Sequence, residues 1–183
     1  MPSGGRTGSV LAVTIGEVGP VQRSRPPERG SERDVLAGLL DFLRATAVNK
    51  VAGLTDEQAF TTSVTASKLT PASVIKHLTG VERFWFSIDF AAAQLPWPWP
   101  EDDPHGNFPL AAGDTLASIV AEYRSECDRS RRAIAGAGLD DLARGQDMDF
   151  NLRYALAHMI EETARHCGHL DLLRESIDGS AGE

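Results

Sequence analysis

An all-α fold, a four-helix bundle with long connecting loops, follows from three observations. Apolar residues recur at i, i+3 and i+4 in four separate stretches. Each stretch opens or closes on a helix-end signal. The segments between them are rich in Thr, Ser and Pro, and none alternates as a strand would. A chain of 183 residues suits one domain with a sizeable core, and its 42 % hydrophobic share is ordinary for a globular protein.

Residues 1–30 are rich in Gly, Pro, Ser and Arg, and carry net positive charge on an otherwise acidic chain. Such a segment buries too little apolar surface to offset its ordering entropy, so a disordered leader is expected. The run Val10–Ile15 is apolar but too short for an anchor and lacks a cleavage site. The bundle is expected over residues 31–179, with 180–183 as a tail. Ser31 is a plausible N-cap, with Asp34 three residues on. Val35, Leu36, Leu39, Leu40, Leu43 and Ala47 then mark a first helix to about Lys50. Residues 54–69 read as a connector. Thr70-Pro71 pairs a cap with a proline at the first helical position, and the second helix runs through Val74, Leu78, Val81 and Trp85 to about Ala92. Five prolines between positions 95 and 109 exclude helix and central strand there, leaving a long loop or lid. The third helix opens near Asp114 or Thr115 and ends before Gly136. The fourth runs from about Asn151 to Ile177 and stops at Asp178-Gly179.

The formal net charge of −8 argues against a nucleic-acid or membrane-surface partner, because both favour a basic patch. No apolar run reaches the roughly 18 residues of a membrane span. Cys127 and Cys167 are too few for a disulfide scaffold and form no CxxC pair. A cytoplasmic address is the default expectation; a homodimer stays open.

The fourth helix carries the candidate chemistry. With His158 set at zero and about 100° per residue, Glu162 falls near 40°, His166 near 80° and His169 near 20°. Leu152, Ala155, Met159, Leu170 and Leu173 occupy about 60° to 120° on the same wheel. Four possible ligands therefore sit at one edge of the core-facing stripe, whereas Glu161, Arg165 and Glu175 are expected to point to solvent. One helix offers two ligands to one ion only from i and i+3 or i+4. Glu162 with His166 meets that test, as do His158 with Glu162 and His166 with His169. A third ligand must come from elsewhere, and His77 shares the inward face of the second helix with Val74, Val81 and Trp85. Two His and one carboxylate, with positions left open, suit a catalytic metal site more than a structural one. The plainer reading is also open: a lone inward His is ordinarily a hydrogen-bonded core residue, and a Glu/His pair four apart is often a surface ion pair.

The stretch LRYALAHMIEETARHCGHLDLLRESIDG, residues 152–179, resembles the C-terminal helix of the DinB-like superfamily. It is most similar to the actinobacterial branch of mycothiol-dependent maleylpyruvate isomerase and mycothiol S-transferases. ERDVLAGLLDFLRAT at 32–46, AGLTDEQA at 52–59 and VIKHLTGVERFWF at 74–86 carry the resemblance across residues 31–179. It implies a four-helix bundle holding one divalent metal, zinc or nickel. The ligand positions match His77, Glu162 and His166, with Glu162 following the isomerase-like members where many others have His. His158 and His169 match positions behind the ligands or in the pocket wall, where a ring nitrogen orients a ligand or water. The isomerase carries a further C-terminal domain and this sequence stops four residues after Gly179, so maleylpyruvate isomerisation is not expected.

The resemblance further implies thiol chemistry, with mycothiol or a similar small thiol as cofactor and a small electrophile as its partner. A free alkyl thiol is mostly protonated at neutral pH, and a Lewis-acid metal favours the nucleophilic thiolate. The activity expected is that of a metal-dependent S-transferase or isomerase. A hydrolase using metal-activated water and a non-enzymatic, stress-related metal-binding protein remain as rivals. Cys127 and Cys167 are expected to be bystanders. Trp85, Trp97 and Trp99 are candidates for the pocket wall or for core packing. Arg83 and Arg153 are candidates to meet an anionic group of the cofactor, or belong to a solvated face.

Overall fold

The computed structural model describes residues 17–100 and 110–182. It is all-α: among the described residues there is no strand, only an isolated antiparallel bridge between Leu142 and Asn151. The four expected helices are present as α1 (Glu32–Val51), α3 (Pro71–Glu82), α4 (Leu116–Ile134) and α5 (Leu152–Asp178). A single extra turn, α2 (Asp56–Ala59), lies in the connector expected between the first two.

Local chemistry sets the helix ends. Ser31, Thr70, Thr115 and Asn151 each accept a hydrogen bond from a backbone N–H in the first turn, covering donors that have no partner within the helix. Thr70 and Thr115 complete reciprocal capping boxes with Ser73 and Ser118. Gly179 closes α5 at φ 77°, a left-handed cap that costs glycine least.

α1 packs along α5, and α3 lies against both α4 and α5. Leu40, Ile75, Leu78, Leu116, Leu156, Met159 and Leu170 are sealed between them. Burying a side chain of this size contributes about 1.5–3 kcal/mol each. One buried ion pair crosses this core: Arg44 of α1 donates to both carboxylate oxygens of Glu82 at 2.7 and 2.6 Å.

Two features depart from the sequence expectation. The second helix does not continue as α-helix to Ala92. From Arg83 to Phe90 it widens into a π-helical segment, with Ala91 N–H donating to the Phe86 carbonyl five residues back. Such segments are rare and concentrate at functional sites. Here Trp85 turns toward Phe150, Tyr154 and His158, while Phe84 turns to Trp97 and Trp99.

The second departure is in the expected leader. Val10–Ile15 lies outside the described residues, but residues 17–30 form an extended strap along α1 rather than a detached chain. Val18 is buried and its carbonyl accepts from Gly53 N–H. Asn49 brackets Val21, its Oδ1 accepting from the Val21 N–H and its Nδ2 donating to the Val21 carbonyl. Pro26 and Pro27 lie so close to Gly38 that a Cβ there would approach Pro27 to 2.9 Å. Composition missed this docking because one asparagine and one glycine on α1 supply the partners.

Candidate metal centre

His77, Glu162 and His166 converge across the α3–α5 interface. Each offers one ligand atom, and these atoms all lie within 4.8 Å of one another. The placement follows from helix geometry: Glu162 and His166 are one turn apart on α5, and His77 sits mid-way along α3, facing them. Glu162 Oε1 is 2.9 Å from His77 Nε2 and 3.1 Å from His166 Nε2. The three side chains keep 12–18 % of their surface open, so the cluster is partly covered yet reachable. The His166 and His77 rings hold the Glu162 carboxyl well below the usual carboxylate range, against the opposing effect of burial.

His169 and His158 occupy different places. The Nδ1 atoms of His169 and His166 are 3.2 Å apart, so His169 stands directly behind a possible ligand. Burial, followed by the charges of His166 and Arg165, lowers the His169 pKa. His158 does not join the cluster. Its ring lies 4.3 Å from Trp85 and stacks nearly parallel to Tyr154 at 6.2 Å. With Phe150, these rings pack together between α5 and the π segment, continuing the row 154, 158, 162, 166 along α5.

Neither candidate arginine is poised for an anion. Arg153, expected to meet a cofactor group, instead donates to Glu32 at 2.8 Å and pairs with Asp140. Arg83 is held by Glu126 and Glu122. The arginine beside the cluster is Arg165, expected to face solvent: its guanidinium is largely exposed but reaches back to within 3.6 Å of Glu162 Oε2. The i,i+3 spacing from Glu162 was the available signal. Trp97 and Trp99 pack on Phe84 rather than on the His cluster. Cys167 is buried with its thiol pushed up to about 11, and burial drives the Cys127 thiol higher still.

A family model described as Mycothiol-S-transferase matches residues 35–179. The chain belongs to the mycothiol S-transferase family. Membership supports a thiol-transferase function with a thiol substrate, and agrees with the DinB-like helical fold. No curated protein matches the chain. No helix among the described residues is long and apolar enough to cross a membrane.

Proposed function

We propose that this mycothiol S-transferase family member is metal-dependent, that His77, Glu162 and His166 hold one divalent ion, and that it joins a mycothiol-type thiol to a small electrophile. The observation that carries the reading is the convergence of the three donor atoms on one partly open point between α3 and α5. The donor set suits zinc, with nickel as the alternative. When bound, the ion supplies Lewis acidity that favours the ionised form of a thiol placed beside it.

The chain's own residues prepare that point. Glu162 brings a fixed negative charge, since its carboxyl stays ionised throughout the neutral range. His166, if it uses Nε2 toward the ion, keeps its proton on Nδ1 and donates it to His169 Nδ1. A lowered His169 pKa keeps that ring neutral and able to accept. Arg165, paired with Glu161 and 3.6 Å from Glu162 Oε2, sets a positive charge beside the Glu162 carboxylate. Trp85, Phe150, Tyr154 and His158 offer an aromatic wall for the apolar body of the electrophile. Neither protein thiol is available as nucleophile, because both are buried and both are held in the protonated form. The functional unit is taken as residues 31–179, braced by the strap.

Elemental analysis of the purified protein, paired with a thiol-conjugation assay before and after chelation, tests the reading. One equivalent of metal and loss of conjugation on chelation, restored by zinc, is the expected result. Conjugation that survives complete metal removal overturns metal dependence. Turnover of the electrophile in the absence of any thiol would identify a hydrolase, and stoichiometric metal with neither reaction would identify a binding protein.

A further inference from the structure

A cavity lies beside the π segment, and none of its described lining residues belongs to the histidine cluster. It holds about 620 Å³, and Phe84, Ile88, Asp89, Ala93, Trp97 and Met148 are among its lining residues. Its size falls within the ordinary range for small-molecule sites, and its walls are mostly apolar. Asp89 is out of place there. It is only 5 % exposed, and no described residue gives its carboxylate a hydrogen bond or ion pair; Oδ2 is sealed off without a partner. A buried carboxylate left this way costs stability, so its retention calls for a reason.

The surrounding backbone is built to hold this position. The π-helical turn carries Phe84 and Asp89 together. Gly145 N–H donates to the Asp89 carbonyl at 2.7 Å, and a Cβ on Gly145 would meet that oxygen at 2.7 Å and the Asp89 Cα at 2.9 Å. Only glycine lets the 143–150 loop approach so closely. Ala92, at the cavity edge, is held at φ 54°, a strained value for a residue with a side chain.

We infer that this cavity binds an organic ammonium group, with Asp89 Oδ1, the carboxylate oxygen that is not sealed off, as its counter-charge and the Phe84 and Trp97 rings against its apolar body. A carboxylate beside aromatic faces is the chemistry that selects such a cation over a neutral molecule of the same shape. A metal ion is a poor fit, because among the described residues Asp89 is the only carboxylate lining the cavity. Among the described lining residues Arg144 is the other charged side chain; it is exposed and makes no ion pair with Asp89, so water screens its repulsion. Burial raises the Asp89 pKa to about 6, which leaves it ionised at pH 7.5. The inference goes beyond the proposed thiol chemistry and holds whether or not the histidine cluster takes a metal.

The test is calorimetric titration of the full chain at pH 7.5 with 2-phenylethylammonium chloride and, separately, with 2-phenylethanol, its neutral counterpart. The ammonium is expected to bind with at least about tenfold preference, from the charge-assisted hydrogen bond. Asp89→Asn keeps the shape and should erase the preference. Ala93→Trp, which fills the cavity and leaves Asp89 in place, should abolish binding of both probes. His77→Ala should leave ammonium binding unchanged, which separates this site from the proposed metal centre. Equal affinity for the two probes, absence of saturable ammonium binding, or a preference that survives Asp89→Asn or Ala93→Trp would each overturn the inference.

Discussion

Glu82 and Glu162 are both buried glutamates, on neighbouring helices, and they are held in opposite ways. Glu82 is fully sealed, and Arg44 satisfies both its oxygens with a forked pair of hydrogen bonds. A guanidinium stays charged at any ordinary pH, so this pair is permanent. Glu162 keeps a little exposure and is held by two imidazoles, whose ring nitrogens can bind metal. A buried carboxylate closed by arginine braces the fold, and one closed by histidines is free to change partners.

The largest contrast is expected from removing ligands. His77→Ala or His166→Ala should abolish retention of a stoichiometric metal and, with it, thiol transfer, since two protein ligands seldom hold a catalytic zinc. Glu162→Gln should weaken retention while leaving the urea midpoint closer to wild type than Glu82→Gln does. Metal analysis and urea melts on wild type and these four variants decide this. If Glu82→Gln proves as damaging to metal retention as Glu162→Gln, the two carboxylates are not the separate devices described above.

Breaking the permanent pair comes next. Arg44→Met leaves Glu82 buried without its partner and should cost about 3–5 kcal/mol of stability. Adding Glu82→Leu should recover most of that loss, because an apolar replacement of both partners is often neutral. Denaturant unfolding of the single and double variants measures the coupling directly.

A third carboxylate, Asp89, has neither kind of partner and should behave unlike both. Its folded pKa is raised by burial to about 6, above the unfolded value of 3.8. Between those values the folded state holds a proton that the unfolded state has released, so stability falls as pH rises through this window. Asp89→Asn is therefore expected to stabilise the protein by about 1–3 kcal/mol at pH 7. The gain should fade toward pH 4. A gain of equal size at both pH values would show that the carboxylate's charge is not its cause.

The smallest effect is expected at the thiols. Replacing Cys127 and Cys167 together with Ala should leave thiol transfer mostly intact, because neither group ionises readily. An inactive double variant that still holds its metal would make a protein thiol the nucleophile.

How much of this was legible in the sequence depended on range. Thr70-Pro71 and Asp178-Gly179 marked helix ends correctly because caps are satisfied within a few residues. Glu162 and His166 were readable as neighbours for the same reason: one helical turn separates them. That His77 faces them rested on a resemblance, since helical periodicity gives a side chain's face but not its partner across the bundle. Arg165 was assigned to solvent from its angle on the wheel and is exposed, while its long flexible side chain also reaches back to Glu162. Arg153 looked free because its partners, Glu32 and Asp140, lie on other segments.

The sequence alone determined the all-α class, the four main helices and most of their ends, since those follow from periodicity and short-range hydrogen bonding. Only the tertiary structure decided that residues 17–30 dock on α1, that the second helix widens at Arg83, that Arg44 closes on Glu82, and that Asp89 is left unpaired beside a cavity. Each of these depends on what another helix or loop presents at a given depth. A one-dimensional pattern carries the hydrophobic period of an element, but the partners of its buried polar groups are settled by packing.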